Sequence, residues 1–229
     1  PDVAPRKLEK IGIVGAGLMA TQLATLFLKR LGVPLVIRDL DRDTVDRAVA
    51  SIREELGERW CPVTGTTDVA DFAGCDLVLE AVFEEMSIKQ QVFAEVREVV
   101  GADCILATNT SSLSVAEMSA DVGLHFFNPV AVMPLVELVR TDATTDETLA
   151  TAWDLTKRLR KRAVVVGDAP GFVVNRVLTR MTSVLMDALE HGNTVEETDE
   201  AILKLGLPMA PSVLLMMVGP RVANHVLVT

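Results

Sequence analysis

Three histidines occur in the chain, and one of them, His125, lies inside a strand-like apolar run, GLHFFNP. Histidine is the side chain best matched to proton transfer near neutral pH. A second apolar run, Leu135 to Val139, carries one acid, Glu137. If the two runs are antiparallel neighbours joined by Asn128 to Pro134, a pairing centred on Ala131 sets residue 125 opposite residue 137, because both are equidistant from it. Directly opposed Cβ atoms are about 5 Å apart on one face of a sheet. A carboxylate so placed can hold an imidazole in one tautomer and stabilise the imidazolium formed when it takes a proton. The same spacing also suits a satisfied histidine and a strand glutamate sharing a polar edge. Of the other histidines, His191 abuts Gly192 at a helix end, where the helix dipole favours a cation, and His225 has no identifiable partner.

A second group of residues with recognisable spacing lies near the start of the chain. The segment GAGLMA, Gly15 to Ala20, follows a Val/Ile-rich run and opens an amphipathic stretch, and it fits G-x-G-x-x-G/A. Gly15 permits the tight turn, Gly17 lets the backbone approach a pyrophosphate, and Ala20 allows close packing of helix on strand, with Leu18 and Met19 completing the loop. Glycines alone are weak evidence. Asp39 strengthens them: it ends the second strand candidate about 20 residues further on, where a carboxylate can bond a ribose 2′-hydroxyl and repel a 2′-phosphate. The pattern predicts NAD rather than NADP. Arg38 beside Asp39 is the contrary sign, since an arginine here can accommodate a 2′-phosphate.

Further polar groups fall where cofactor and substrate should meet. Asn109, Thr110, Ser111 and Ser112 follow a strand ending at Thr108, although Ser114 with Glu117 also resembles a capping box for a short helix. Glu84 and Lys89 follow a strand through Val82 and could flank the nicotinamide ribose or be solvated charges at a helix start. Asn175 falls in the first turn of a long helix entered through Asp168-Ala-Pro-Gly171.

The elements that must carry these groups are α/β in pattern. Strand candidates at Lys10 to Val14, Leu35 to Arg38, Asp76 to Val82, Cys104 to Thr108, Leu124 to Phe127, Leu135 to Val139 and Ala163 to Val166 alternate with amphipathic stretches. Met19, Leu23, Leu26, Phe27 and Leu31 share one helical face. Another helix opens at Ser87, with Gln90 three residues on as a capping box, and should bury Ile88, Val92, Phe93, Val96 and Val99. After Gly167 strand-like runs cease, and helices are expected over about 172–190 and 195–205, then two short pieces split by Gly219 and Pro220. The expected architecture is a Rossmann-type doubly wound sheet over residues 1–168 followed by a small all-helical domain over 169–229. The apolar, Met-rich run Leu214 to Val218 suggests a dimer contact in that second part.

Composition bounds the partners. A net charge of −10 argues against nucleic acid or an anionic membrane surface, and no apolar run approaches the roughly 20 residues of a membrane span. A small-molecule ligand and a cytoplasmic setting are the expectation. Cys61, Cys75 and Cys104 lack metal-ligand spacing, so no metal is expected, and they read as packing or surface thiols. A start at Pro1 suggests a piece cut from a longer chain.

With GAGLMA, Asp39, LEAVFE (Leu79 to Glu84), NTSSLS (Asn109 to Ser114), GLHFFNP (Gly123 to Pro129) and DAPGFVVNR (Asp168 to Arg176) in this order, the chain resembles the L-3-hydroxyacyl-CoA dehydrogenase family over nearly its whole length. The wording VFEEMSIKQQVF and HFFNPVAVMPLVE is also similar to the dehydrogenase part of multifunctional fatty-acid oxidation proteins. The resemblance implies NAD-dependent oxidation of an acyl-CoA substrate to a 3-ketoacyl-CoA, with His125 as base, Glu137 orienting it, and Ser111 and Asn175 bonding the substrate oxygen. It implies that Glu84, Lys89, Asn109 and Asn128 surround the nicotinamide end of the cofactor. Two other readings share the motifs: a non-catalytic NAD-binding relative, and a β-hydroxyacid dehydrogenase acting on a free acid. The chain departs from the family in a shortened stretch near residues 57–64, where a basic helical arm that helps hold CoA is expected, in a short span at 119–123, and in the early end of the helical domain.

Overall fold

The computed structural model describes residues 3–57 and 62–218, so Cys61, His225, part of the 57–64 stretch and the Gly219-Pro220 break lie outside the described residues. It divides into two compact units between Asp168 and Ala169.

Among the described residues, the first unit is built on eight strands: β1 (Ile11–Val14), β2 (Leu35–Arg38), β3 (Val63–Thr66), β4 (Leu77–Glu80), β5 (Ile105–Thr108), β6 (Val122–Phe126), β7 (Leu135–Arg140) and β8 (Arg162–Gly167). Their order across the sheet is β3-β2-β1-β4-β5-β6-β7-β8. Pairings from β3 through β6 are parallel, β7 runs antiparallel to β6, and β8 is parallel to β7. Every residue of β1, β2, β4 and β5 is buried. That is why these strands appear in sequence as unbroken apolar runs, as parallel strands covered on both faces should. β3 was not among the strand candidates. Its sequence, VTGT, is short and polar, and Thr64 is exposed, so the apolar signal is missing.

Helices α1 (Leu18–Leu31), α2 (Arg42–Leu56), α3 (Met86–Arg97) and α4 (Asp146–Arg158) cover the sheet. Asp41 starts α2 by accepting from the amides of Asp43 and Thr44, and the helix buries Val45, Ala48, Val49 and Ile52, spaced as one face. Gly32 ends α1 in the left-handed region, its amide donating to Leu28 O. The start of α3 corrects the sequence reading. Its cap is Glu85 without a side-chain bond; Ser87 Oγ donates to Glu85, and Gln90 Nε2 reaches Glu117 O instead of its own helix start. Ile88 is only half-buried and Val99 lies beyond the helix, while Lys89 is buried in the place of an apolar residue. Ser114 Oγ does accept from Glu117 N at 3.3 Å, but the chain forms a turn over residues 115–119 there rather than a helix.

The second unit consists of α5 (Val174–Glu190), α6 (Val195–Lys204) and α7 (Pro211–Val218). Thr194 and Glu197 form a complete capping box at α6. His191 caps the end of α5, its Nδ1 2.8 Å from Asp187 O, the structural placement that its position beside Gly192 implied. Met216 and Met217 of α7 are exposed, as are Val177, Val184 and Met186 of α5.

Candidate active site

The strand order reverses between β1 and β4, and the carboxyl ends of those strands open a cleft, the expected ligand position in a doubly wound sheet. The cleft has a volume of about 660 Å³ and is walled by Gly15, Gly17, Leu18, Met19, Arg38 and Asp39, among others. Gly15 has φ +100°, and a Cβ there would lie 2.7 Å from Ala81 O, so only glycine fits. Gly17 is glycine for a different reason. A Cβ on it would meet nothing within 4 Å, so its absence keeps open the space above the N-terminus of α1. No side chain caps that terminus, which leaves its amides to an anion. Asp39 Oδ2 accepts from Ala16 N at 2.9 Å and Oδ1 from Leu40 N at 2.7 Å. The carboxylate thus ties the glycine loop to the end of β2 and, with about four lone-pair directions, retains capacity for ribose hydroxyls.

His125 pairs directly with Glu137 across the β6–β7 ladder, and Nδ1 lies 2.7 Å from Glu137 Oε2. Both are buried, Glu137 at 0% exposure and His125 at 5%. An ionised carboxylate can only accept, so the bond puts the ring proton on Nδ1 and leaves Nε2 with its lone pair. The His125 ring also rests against Phe127, with centroids 4.4 Å apart. Asn109 holds this end of β6: its Oδ1 accepts from Phe126 N at 3.0 Å, and its own amide donates to Glu80 O. Asn128 Oδ1 accepts from Gln22 Nε2 at 3.2 Å.

Glu84, Lys89 and Ser111 form a second assembly, whose anchor, Glu80, did not stand out in the sequence. Glu80 is fully buried at the end of β4. Its carboxylate accepts from Lys89 Nζ at 2.6 Å, Val82 N at 2.7 Å and Thr108 Oγ1 at 2.8 Å. Lys89, itself 1% exposed, also lies 3.1 Å from Glu84 Oε2. Glu84 Oε1 in turn accepts from Thr110 Oγ1 at 2.5 Å, Ser111 N at 2.8 Å and Ser111 Oγ at 3.2 Å. Burial works against ionising Glu84, but the Lys89 charge and the Thr110, Ser111 and Lys89 donors outweigh it and lower its pKa. The only local signal for Glu80 was an acid closing an apolar strand nine positions before the lysine.

Two more positioning residues were missed. Asp168 accepts from Ser114 Oγ (2.8 Å), Val115 N and Ala116 N, fixing the loop that continues from Ser111. It sits within the DAPGF segment, but its partners are more than fifty residues away. Gln22 of α1 grips Asn128 and accepts from Val130 N at 2.8 Å, joining the cofactor-loop helix to the His125 loop. Asn175 lies in the first turn of α5, in the second unit. Cys75 and Cys104 are buried, and burial pushes their thiols up to about 11 and about 12, so neither is a nucleophile near neutral pH. Among the described residues no cluster could hold a metal ion.

The sequence profile of the 3-hydroxyacyl-CoA dehydrogenase NAD binding domain matches residues 10–169, and that of the family's C-terminal domain matches 171–229. The chain belongs to the 3-hydroxyacyl-CoA dehydrogenase family. Solved relatives agree. (S)-3-Hydroxybutyryl-CoA dehydrogenase of Ralstonia eutropha is 33% identical with a TM-score of 0.86, covering 96% of this chain and 86% of the relative. M. tuberculosis FadB2 is 32% identical with a TM-score of 0.87 and the same two coverages. 3-Hydroxybutyryl-CoA dehydrogenase of Escherichia coli K12 is 31% identical with a TM-score of 0.88, covering 96% of this chain but 52% of the longer relative. The cofactor of this dehydrogenase family is NAD, and the open space at Gly17, the uncapped α1 terminus and Asp39 fit its pyrophosphate and ribose. Among the described residues no helix is long and apolar enough to cross a membrane.

Proposed function

We propose that the protein oxidises L-3-hydroxyacyl-CoA thioesters to 3-ketoacyl-CoA, with His125 as the catalytic base. The observation that carries this is the buried His125–Glu137 pair, 2.7 Å apart, at the carboxyl edge of a sheet whose other half binds NAD. Bound NAD supplies the hydride acceptor. His125 Nε2 takes the 3-hydroxyl proton, and the Glu137 carboxylate stabilises the imidazolium. Ser111 hydrogen-bonds the substrate oxygen, the role that the family resemblance also gives to Asn175. Glu84 holds Ser111 through both its amide and its hydroxyl, and Lys89 keeps Glu84 charged. Gly15, Gly17, Leu18, Met19 and Asp39 hold the adenosine half of the cofactor, while Asn109 and Asn128 shape its nicotinamide end. The exposed apolar residues of α5 and α7 support a second copy of the chain as the partner of the helical unit.

The test is loss of NADH absorbance with acetoacetyl-CoA, beside a His125→Gln variant. The variant should lose about 10²- to 10⁴-fold in turnover while binding NADH as the parent does. Unchanged turnover would remove His125 from the mechanism. Faster reaction with free acetoacetate than with its CoA ester would favour the free-acid reading, and NADH binding without turnover of either would favour a non-catalytic relative.

A further inference from the structure

Arg38 is a residue whose position would suit an NADP enzyme, yet it lies in a family that uses NAD. Its side chain is 9% exposed and engaged at two edges: Nε donates to Thr67 O at 3.3 Å, and Nη1 lies 3.3 Å from Glu95 Oε2. Glu95 sits on α3, one helical turn after Gln91, whose Nε2 donates to Glu95 Oε1 at 2.9 Å and fixes the carboxylate. Arg38, Asp39, Asp41, Gln91 and Glu95 all face the cofactor cleft.

We propose that Glu95 is a second determinant of cofactor choice, excluding NADP by occupying the Arg38 guanidinium and placing a further negative charge beside the ribose position. The inference rests on NAD binding and not on the acyl substrate. A 2′-phosphate would bring nearly two negative charges to a wall holding one guanidinium and three carboxylates. Asp41 is the least consequential of the three, because it caps α2, with Arg47 3.8 Å away. Asp39 repels the phosphate directly. Glu95 acts by claiming the donors that a phosphate would otherwise recruit from Arg38, since bidentate arginine pairing needs a free guanidinium edge. Removing Asp39 alone therefore lifts one repulsion and leaves the arginine neutralised. Removing both carboxylates frees the arginine.

The experiment measures Kd for NADH and NADPH by nucleotide fluorescence, and for 2′,5′-ADP by calorimetry, on the full chain and on Asp39→Ser, Glu95→Gln and the double variant. Asp39→Ser should weaken NADH while leaving NADPH within about threefold of the parent. The double variant should bind NADPH at least about tenfold tighter than Asp39→Ser, with an affinity that falls as salt rises. Equal NADPH gains in Asp39→Ser and the double variant would overturn the proposal, as would no gain in the double variant. If the double variant fails to fold by circular dichroism, Glu95→Gln decides alone: 2′,5′-ADP binding at least about threefold tighter than the parent supports the proposal, and unchanged binding overturns it. Failure of the parent to bind NADH would overturn the cofactor assignment and is distinguishable from all of these.

Discussion

The two halves of the sheet edge recognise their ligands by different means. At β1 and β2 the adenosine half works through backbone: two glycines, the open N-terminus of α1, and one carboxylate that accepts the Ala16 amide of the glycine loop. At β4 to β7 the reacting half works through buried side chains, with Glu80, Lys89 and Glu137 at no more than 1% exposure and His125 at 5%. The difference follows from the chemistry. A phosphate needs several amides and close approach, which small residues provide. A proton needs one nitrogen with a set tautomer and a second group to bear the charge, which requires desolvated side chains held by partners distant in sequence. Where a change only fills ligand space, as at Gly17, the first half should therefore lose ligand without losing fold, and the second half should lose both.

The sharpest way to break that contrast is Lys89→Met. It leaves Glu80 buried with no counter-charge, and removing one partner of a buried pair typically costs about 3–5 kcal/mol. Urea unfolding should show that loss; a change below about 1 kcal/mol would mean that the Glu80–Lys89 pair does not hold the reacting half. The matching variant on the other side is Gly17→Val. With nothing within 4 Å of the new Cβ, stability should stay near the parent's, while Kd for NADH rises at least about tenfold, or roughly 1.4 kcal/mol. Gly15→Ala is the control: its backbone is at φ +100° and its Cβ would strike Ala81 O, so it should lose stability by about 1–3 kcal/mol as well. Equal destabilisation by the two glycine variants would erase the distinction drawn between them.

The same division explains what could be read from sequence. The glycine loop and Asp39 are legible because backbone geometry dictates residue type within one βαβ unit. The opposition of His125 and Glu137 was legible because a short antiparallel connection fixes register by counting, and the structure pairs the two residues as counted. Glu80 was not, because a charge closing an apolar strand is indistinguishable from a solvated one until Lys89 is seen folding back onto it from α3. Lys89 stayed open between a place at the nicotinamide ribose and a solvated helix start, because helical periodicity carries no sign of its burial, which is set by Glu80 at the end of β4 and Glu84 in the loop that follows. Asp168 and Gln22 act across 54 and 106 residues, a range at which one sequence carries no pairing signal. The strand β3 went unread because its edge position frees it from being apolar.

The smallest expected effect tests whether charge or shape holds Ser111. The folded-state pKa of Glu84 is lowered, so its contribution to stability is complete above the unfolded-state value of about 4.3 and is lost as pH falls through the lower folded-state value. Glu84→Gln keeps an acceptor for Ser111 and Thr110 but gives up the attraction to Lys89. At neutral pH the variant should be less stable by on the order of 1 kcal/mol, measured by urea unfolding. The gap should start to narrow as pH falls below the unfolded-state value and close only once pH is below the lowered folded-state value, because the parent carboxylate is then protonated and its advantage over the amide disappears. A gap that stays constant down to acid pH would show that Glu84 holds the loop by hydrogen-bond geometry alone. Lys89 would then answer to Glu80 only, and the reacting half would rest on two independent supports instead of one connected chain from β4 to Ser111.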